Sequence, residues 1–203
     1  MSSGEPISPR EHILQAALRL FLSKGYSATS MRDIAAEAGQ RAVAGIYNHF
    51  ANKEAIFKAL ILERSPFEAV IAEMETIEAE TAPEYIGILL TRLMPIVITY
   101  YDYIELIQID MREFQSVHTR SLVSDRVIPQ LIGIITRLQT LPGLKPIEPL
   151  VLLRLIVSLI VGFALTQRIA VPYLQILSND EWIERYTNLY LYGVAASQPP
   201  DMQ

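Results

Sequence analysis

The chain has 203 residues, 51% of them apolar and 19% charged, and no cysteine. So large an apolar share excludes intrinsic disorder, and the lack of cysteine excludes a disulfide scaffold, a thiol nucleophile and a thiolate metal site. The net charge of −5 is uneven: residues 1–64 carry +2 and residues 65–203 carry −7, the asymmetry expected if only the head meets a polyanion.

Met1–Glu11 has no basic segment leading into an apolar one, so it does not read as a signal peptide, and a soluble, cytoplasmic protein is expected. Ser8-Pro9-Arg10-Glu11 is a capping box with proline at the first helical position. Ile13, Ala17, Leu20 and Phe21 then recur on one helical face, and Gly25 supplies the stop. Thr29 or Ser30 opens a short second helix that Gly39 closes. A third covers roughly Val43 to His49, and Asn52 caps a fourth with Glu54 in its first turn.

Beyond residue 64 the same grammar repeats. Ser65-Pro66-Phe67-Glu68 reads as a second box, so the fourth helix stops or kinks near Arg64. Thr81-Ala82-Pro83-Glu84 starts a helix through Leu93 toward Tyr103, with a kink expected at Pro95. Further helices are expected from Ile104 to Phe114, from Thr119 to Leu141 and from Pro149 to Ala170. Ser178-Asn179-Asp180-Glu181 caps the last, which runs to Ala196. No stretch alternates as a strand would, so the fold class is all-α. The stretch Leu150–Leu165 is apolar except for Arg154 and Ser158, which is too short and too early interrupted for a membrane span. It reads as a helix covered on all sides, in a core or at a subunit interface.

Residues 29–53 hold two short helices joined through Gly39, with Ile34, Ala35, Ala38 and Ile46 small or apolar enough for a close crossing. Such a helix–turn–helix unit can place its second helix in the major groove while helix N-termini and polar side chains hold phosphates. The matching residues are Ile13-Leu14, Ala16-Ala17, Leu20-Phe21, Gly25-Tyr26, Thr29-Ser30, Ile34-Ala35, Ala38-Gly39, Ile46-Tyr47, His49-Phe50 and Lys53-Glu54. In order and spacing they resemble the DNA-binding domain of the TetR family of bacterial transcriptional regulators, over about residues 10–64. The resemblance implies a DNA-binding domain at 9–64 and an effector-binding and dimerisation domain at 65–198. It departs from the family in one place: seven residues, Gln40 to Ile46, separate Gly39 from Tyr47, where six are usual. The extra residue is expected to lengthen the turn or the start of the second helix.

Candidate DNA contacts follow from side-chain chemistry. Arg41 suits a bidentate contact to a guanine edge, or equally a phosphate contact or a solvated turn. Among Ala42, Val43 and Ala44, one suits a thymine methyl while the others pack. By resemblance Tyr47 and His49 hydrogen-bond phosphates. Lys53 adds a cation and a free N–H at a helix start. Thr29 or Ser30 donates to a phosphate or merely caps, and Asn48 reads adenine or faces water.

The resemblance also implies a homodimer, a small-molecule effector and a repressor released from a palindromic operator. Leu152, Leu155 and Leu159, with Trp182, Tyr186, Leu189, Tyr190 and Gly193, are candidates for the dimer interface; an ordinary intrachain core is the other reading. Tyr100, Tyr103, Gln108, Met111, Phe114, Gln115 and Phe163 mix apolar walls with polar handles and are candidate linings for a largely apolar effector, or else core. No cofactor or metal is expected. An enzyme is not expected either: His12, His49 and His118 form no ligand pair, no nucleophile or dinucleotide motif occurs, and Asp110 with Glu113 suits a solvated helix face. The remaining alternative is a helical adaptor that binds protein through an apolar C-terminal surface.

Overall fold

Every element of the computed structural model is a helix among the described residues, which are 8–40, 42–174 and 177–194; side chains are described except at 167–174, 179, 193 and 194. The elements are α1 (Pro9–Lys24), α2 (Met31–Glu37), α3 (Ala44–Tyr47), α4 (Lys53–Glu63), α5 (Phe67–Glu75), α6 (Ala82–Thr99), α7 (Tyr101–Glu113), α8 (Val117–Leu122), α9 (Ile128–Thr140), α10 (Pro149–Leu174) and α11 (Asn179–Val194). A π-helical turn, Val123–Val127, runs from α8 into α9.

Local chemistry sets most starts. The side chains of Ser8, Ser30, Asn52, Thr81 and Ser178 each accept the N–H three residues on, satisfying a donor that the first turn leaves without a helical partner. The cap position of α5 falls on Pro66, one residue past Ser65, with helical backbone angles and no side-chain bond of its own. The helix expected from Thr119 to Leu141 is also corrected, since the π turn divides it. α6 continues through Pro95 to Thr99.

The chain forms two compact units. The first is Met1–Ser65 with Asp102–Val123; the second is Pro66–Tyr101 with Ser124–Gln203. α7 and α8 thus group with the N-terminal helices. In the first unit α1 packs on α2 and α4, α2 on α3, and α4 on α8. Its core holds Ile13, Leu14, Phe21, Ile34, Ile46, Phe57 and Leu60. An aromatic cluster joins α1, α4 and the α7–α8 corner: Phe21 and Tyr26 each lie edge-on to Phe57, and Phe114 lies 4.8 Å from Tyr26 and 5.0 Å from Phe57. The Tyr103 hydroxyl donates to the Ile61 carbonyl at 3.1 Å. The corner itself turns on Gln115 and Ser116, both left-handed at φ 52° and 63°. It is held by Asp110, fully buried, whose carbonyl accepts the Ser116 N–H and whose carboxylate accepts the Thr119 N–H at 2.8 Å. Glu54 and Asp110 face opposite nitrogens of the His118 ring, each at 3.5 Å.

In the second unit α6 is central and packs on α5, α9, α10 and α11. Its buried face, Ile86, Leu89, Leu90, Leu93 and Met94, meets Ile135 and Leu138 of α9 and Leu152, Ile156 and Phe163 of α10 in one core. The Tyr85 hydroxyl reaches the Met74 carbonyl at 3.0 Å. Gly143 takes φ +93° beside Pro83, while Ala82 donates its N–H to the Pro142 carbonyl.

Candidate nucleic-acid interface

The head is built around the crossing of α2 and α3. Ser30 and Asp33 form a reciprocal capping box, and the Ser30 backbone and hydroxyl, aided by Lys24, hold the Asp33 carboxyl down at about 2. α2 ends in a Schellman arrangement: Gln40 donates to the Ala35 carbonyl, Gly39 to that of Ala36, and Gly39 takes φ +67°. Ile34 and Ala35 are buried on the first helix and Ile46 on the second, as a close crossing requires. Instead of running from Val43 to His49, the second helix is a short one that begins only at Ala44, after a bend at Ala42 and a turn at Val43. Arg41 lies outside the described residues.

Ala42, Ala44, Tyr47, Asn48 and His49 are all exposed, and Val43 is half-buried. Tyr47 is 56% exposed, a large aromatic side chain that presents a hydroxyl to solvent. Ser30 is exposed as well, its hydroxyl donating to the Asp33 carboxylate. Thr29 differs from the expectation of a phosphate donor. Its side chain is 2% exposed and its hydroxyl donates to the Gly25 carbonyl at 2.8 Å, so it closes the loop after α1 instead. Lys53 also turns inward: its ammonium donates to the carbonyls of Tyr26 at 2.7 Å and Thr29 at 2.8 Å, and sits 4.1 Å from the centre of the Tyr26 ring. Burial pulls the Lys53 pKa below its ordinary value, with Glu113 opposing. Arg32, exposed in the first turn of α2, was not singled out; the excess of cations in the head was its only signal.

The candidate effector linings do not converge within either unit. Tyr103 and Phe114 are committed to the core and aromatic cluster of the first unit, while Gln108, Met111 and Gln115 of the same unit face solvent. Tyr100 closes α6 and Phe163 packs edge-on to Tyr186 in the second unit. The seven candidate residues are thus divided between the two units.

Among the candidate interface residues, Leu152 is fully buried in the intrachain core, a correction, and Trp182, Tyr186, Tyr190 and Leu159 pack partly against that core. Leu155 and Leu189 are exposed, the latter by 76%. Gly193 falls in α11, outside the residues whose side-chain surroundings are described. α10 is therefore not covered on all sides by its own chain: Leu150, Val151, Leu155, Val157 and Val161 form an exposed apolar face opposite Leu152, Ile156 and Ile160.

Residues 13–60 match the family described as bacterial regulatory proteins, tetR family. The fold is shared with solved structures at low identity. A TetR-family transcription regulator from Marinobacter aquaeolei is 20% identical, with 92% of this chain and 95% of that one covered and a TM-score of 0.69. A bacterial regulatory protein in the tetR family from Rhodococcus is 20% identical, covering 94% and 99%, with a TM-score of 0.68. NalD, described as the secondary repressor of the MexAB-OprM multidrug efflux pump in Pseudomonas aeruginosa, is 22% identical, covering 94% and 98%, with a TM-score of 0.65.

Proposed function

We propose, from the match of residues 13–60 to the family described as bacterial regulatory proteins, tetR family, that this chain is a homodimeric repressor that grips a palindromic operator and is released by a small, largely apolar effector. The observation that carries the DNA-binding part is the exposed run Ala44, Tyr47, Asn48 and His49, held rigidly by Ile46 against α2. A hydroxyl, an amide and an imidazole exposed at the end of α3 suit phosphate oxygens and base edges, and the methyl of Ala44 suits a thymine methyl. Arg32 and the exposed Ser30 add a cation and a hydroxyl at the start of α2.

Dimerisation is supported by the exposed apolar face of α10 together with Leu189 of α11, which a second copy would cover. Pairing would give two heads related by a twofold axis, which is why a palindromic site is proposed. Effector release follows if the ligand binds better to a conformer whose two heads no longer match successive major grooves.

The test is binding of mixed-sequence duplex DNA across a salt series. Neutralising several phosphates requires affinity to fall steeply as salt rises, with a slope of about −0.9 per contact. An adaptor working through the apolar face of α10 would bind no duplex and show no such slope.

A further inference from the structure

Lys53 opens α4, and its side chain folds back over the loop that precedes α2. That loop, Gly25–Thr29, is closed by four bonds. Thr29 donates its N–H to the Tyr26 carbonyl and its hydroxyl to the Gly25 carbonyl, and the Lys53 ammonium donates to the Tyr26 and Thr29 carbonyls. The next residue, Ser30, is the cap of α2, and the residue before Lys53, Asn52, is the cap of α4. One ammonium thus fastens together the starts of two helices that lie on either side of α3 in the chain.

Two of its three N–H bonds are spent on carbonyls, and the ring of Tyr26 lies against it. A lysine that serves a phosphate does so as a strongly hydrated point charge at the end of a flexible stem. This one is drawn inward, and the Tyr26 ring is itself fixed by Phe21, Phe57 and Phe114.

We propose that Lys53 is a positioning residue: its ammonium ties the first turn of α4 to the Tyr26–Thr29 loop and so sets the separation of the helix starts that flank α3, with no phosphate contact of its own. The proposal rests on the nucleic-acid reading above, since that separation matters only if the head fits a duplex. A misplacement of either helix start weakens every contact the head makes, whatever the sequence.

The test uses the full chain, first without DNA. In the wild type the Lys53 Nζ protons are expected to be protected from exchange with water in ¹⁵N-lysine NMR spectra. In Lys53→Met, which keeps the apolar stem and loses the donors, amide exchange across residues 25–31 is expected to speed by about tenfold, as loss of hydrogen bonds to a charged donor implies. With a mixed-sequence duplex, Lys53→Met is expected to bind about tenfold more weakly while its salt slope stays within about 0.5 of wild type. Unprotected Nζ protons, or unchanged loop exchange in Lys53→Met, overturn the positioning role. A salt slope shallower by about one in Lys53→Met overturns it too, because that is the mark of one lost phosphate contact. A wild type that binds no duplex at the lowest salt overturns the nucleic-acid reading itself, an outcome distinct from the DNA-free measurements.

Discussion

The Thr29 hydroxyl donates to the Gly25 carbonyl at 2.8 Å from a side chain almost wholly removed from water. A β-branched residue is needed for shape and a hydroxyl for the bond. Thr29→Val keeps the shape and removes the donor from the part-buried Gly25 carbonyl, so it is expected to lower stability by about 1–2 kcal/mol in denaturant titrations. Thr29→Ser keeps the bond and should lose less. Neither should change the salt slope of duplex binding, since the side chain is inaccessible to phosphate.

Tyr47 carries the opposite expectation. Its ring is exposed, so Tyr47→Phe should leave the melting temperature of the free protein within about a degree, because surface changes rarely exceed about 0.5 kcal/mol. Binding to all duplexes should weaken alike, by several-fold, as loss of one hydrogen bond of about 1 kcal/mol implies. Discrimination between duplexes, measured by competition, should not move.

Gly143 sits at φ +93° with Pro83 directly beneath the place where a Cβ would stand, its Cδ 3.0 Å away. Both the backbone conformation and the proline ring oppose a side chain. Gly143→Ala is expected to cost about 1–3 kcal/mol, read as a lower unfolding midpoint with unchanged far-ultraviolet dichroism.

Burial pushes the Tyr26 phenol up to about 12, with Glu54 and Glu113 adding to the shift. Unfolded, the phenol titrates near about 10. The folded value is raised, so its contribution to stability is fully present below about pH 10 and is lost as pH climbs toward about 12. Stability measured from pH 9 to 12 should therefore fall more steeply in the wild type than in Tyr26→Phe, which has no phenol to ionise at this position. Equal slopes would contradict this.

Capping was legible because it is local: Ser8, Ser30, Asn52, Thr81 and Ser178 each act on a donor three residues away. What depends on distant partners was not. Thr29 and Lys53 are polar residues in a suggestive motif, and only the packed head reveals that both turn inward. The return of residues 102–123 to the N-terminal unit rests on Phe114 and His118 meeting Phe57, a contact between segments nearly sixty residues apart. The break between Phe114 and Thr119 was legible, but its left-handed turn was not, because the residues there are Gln115 and Ser116, where a glycine would have marked it. Side-chain chemistry along the sequence points to effector-binding residues but says nothing about which way each one faces.

Selection from random duplexes at moderate salt decides whether a twofold pair of these heads reads DNA. Enrichment of an inverted repeat is expected, with half-sites about one helical turn, or a multiple of it, apart. Retention of no sequence over any other by the folded, ligand-stripped protein would contradict it.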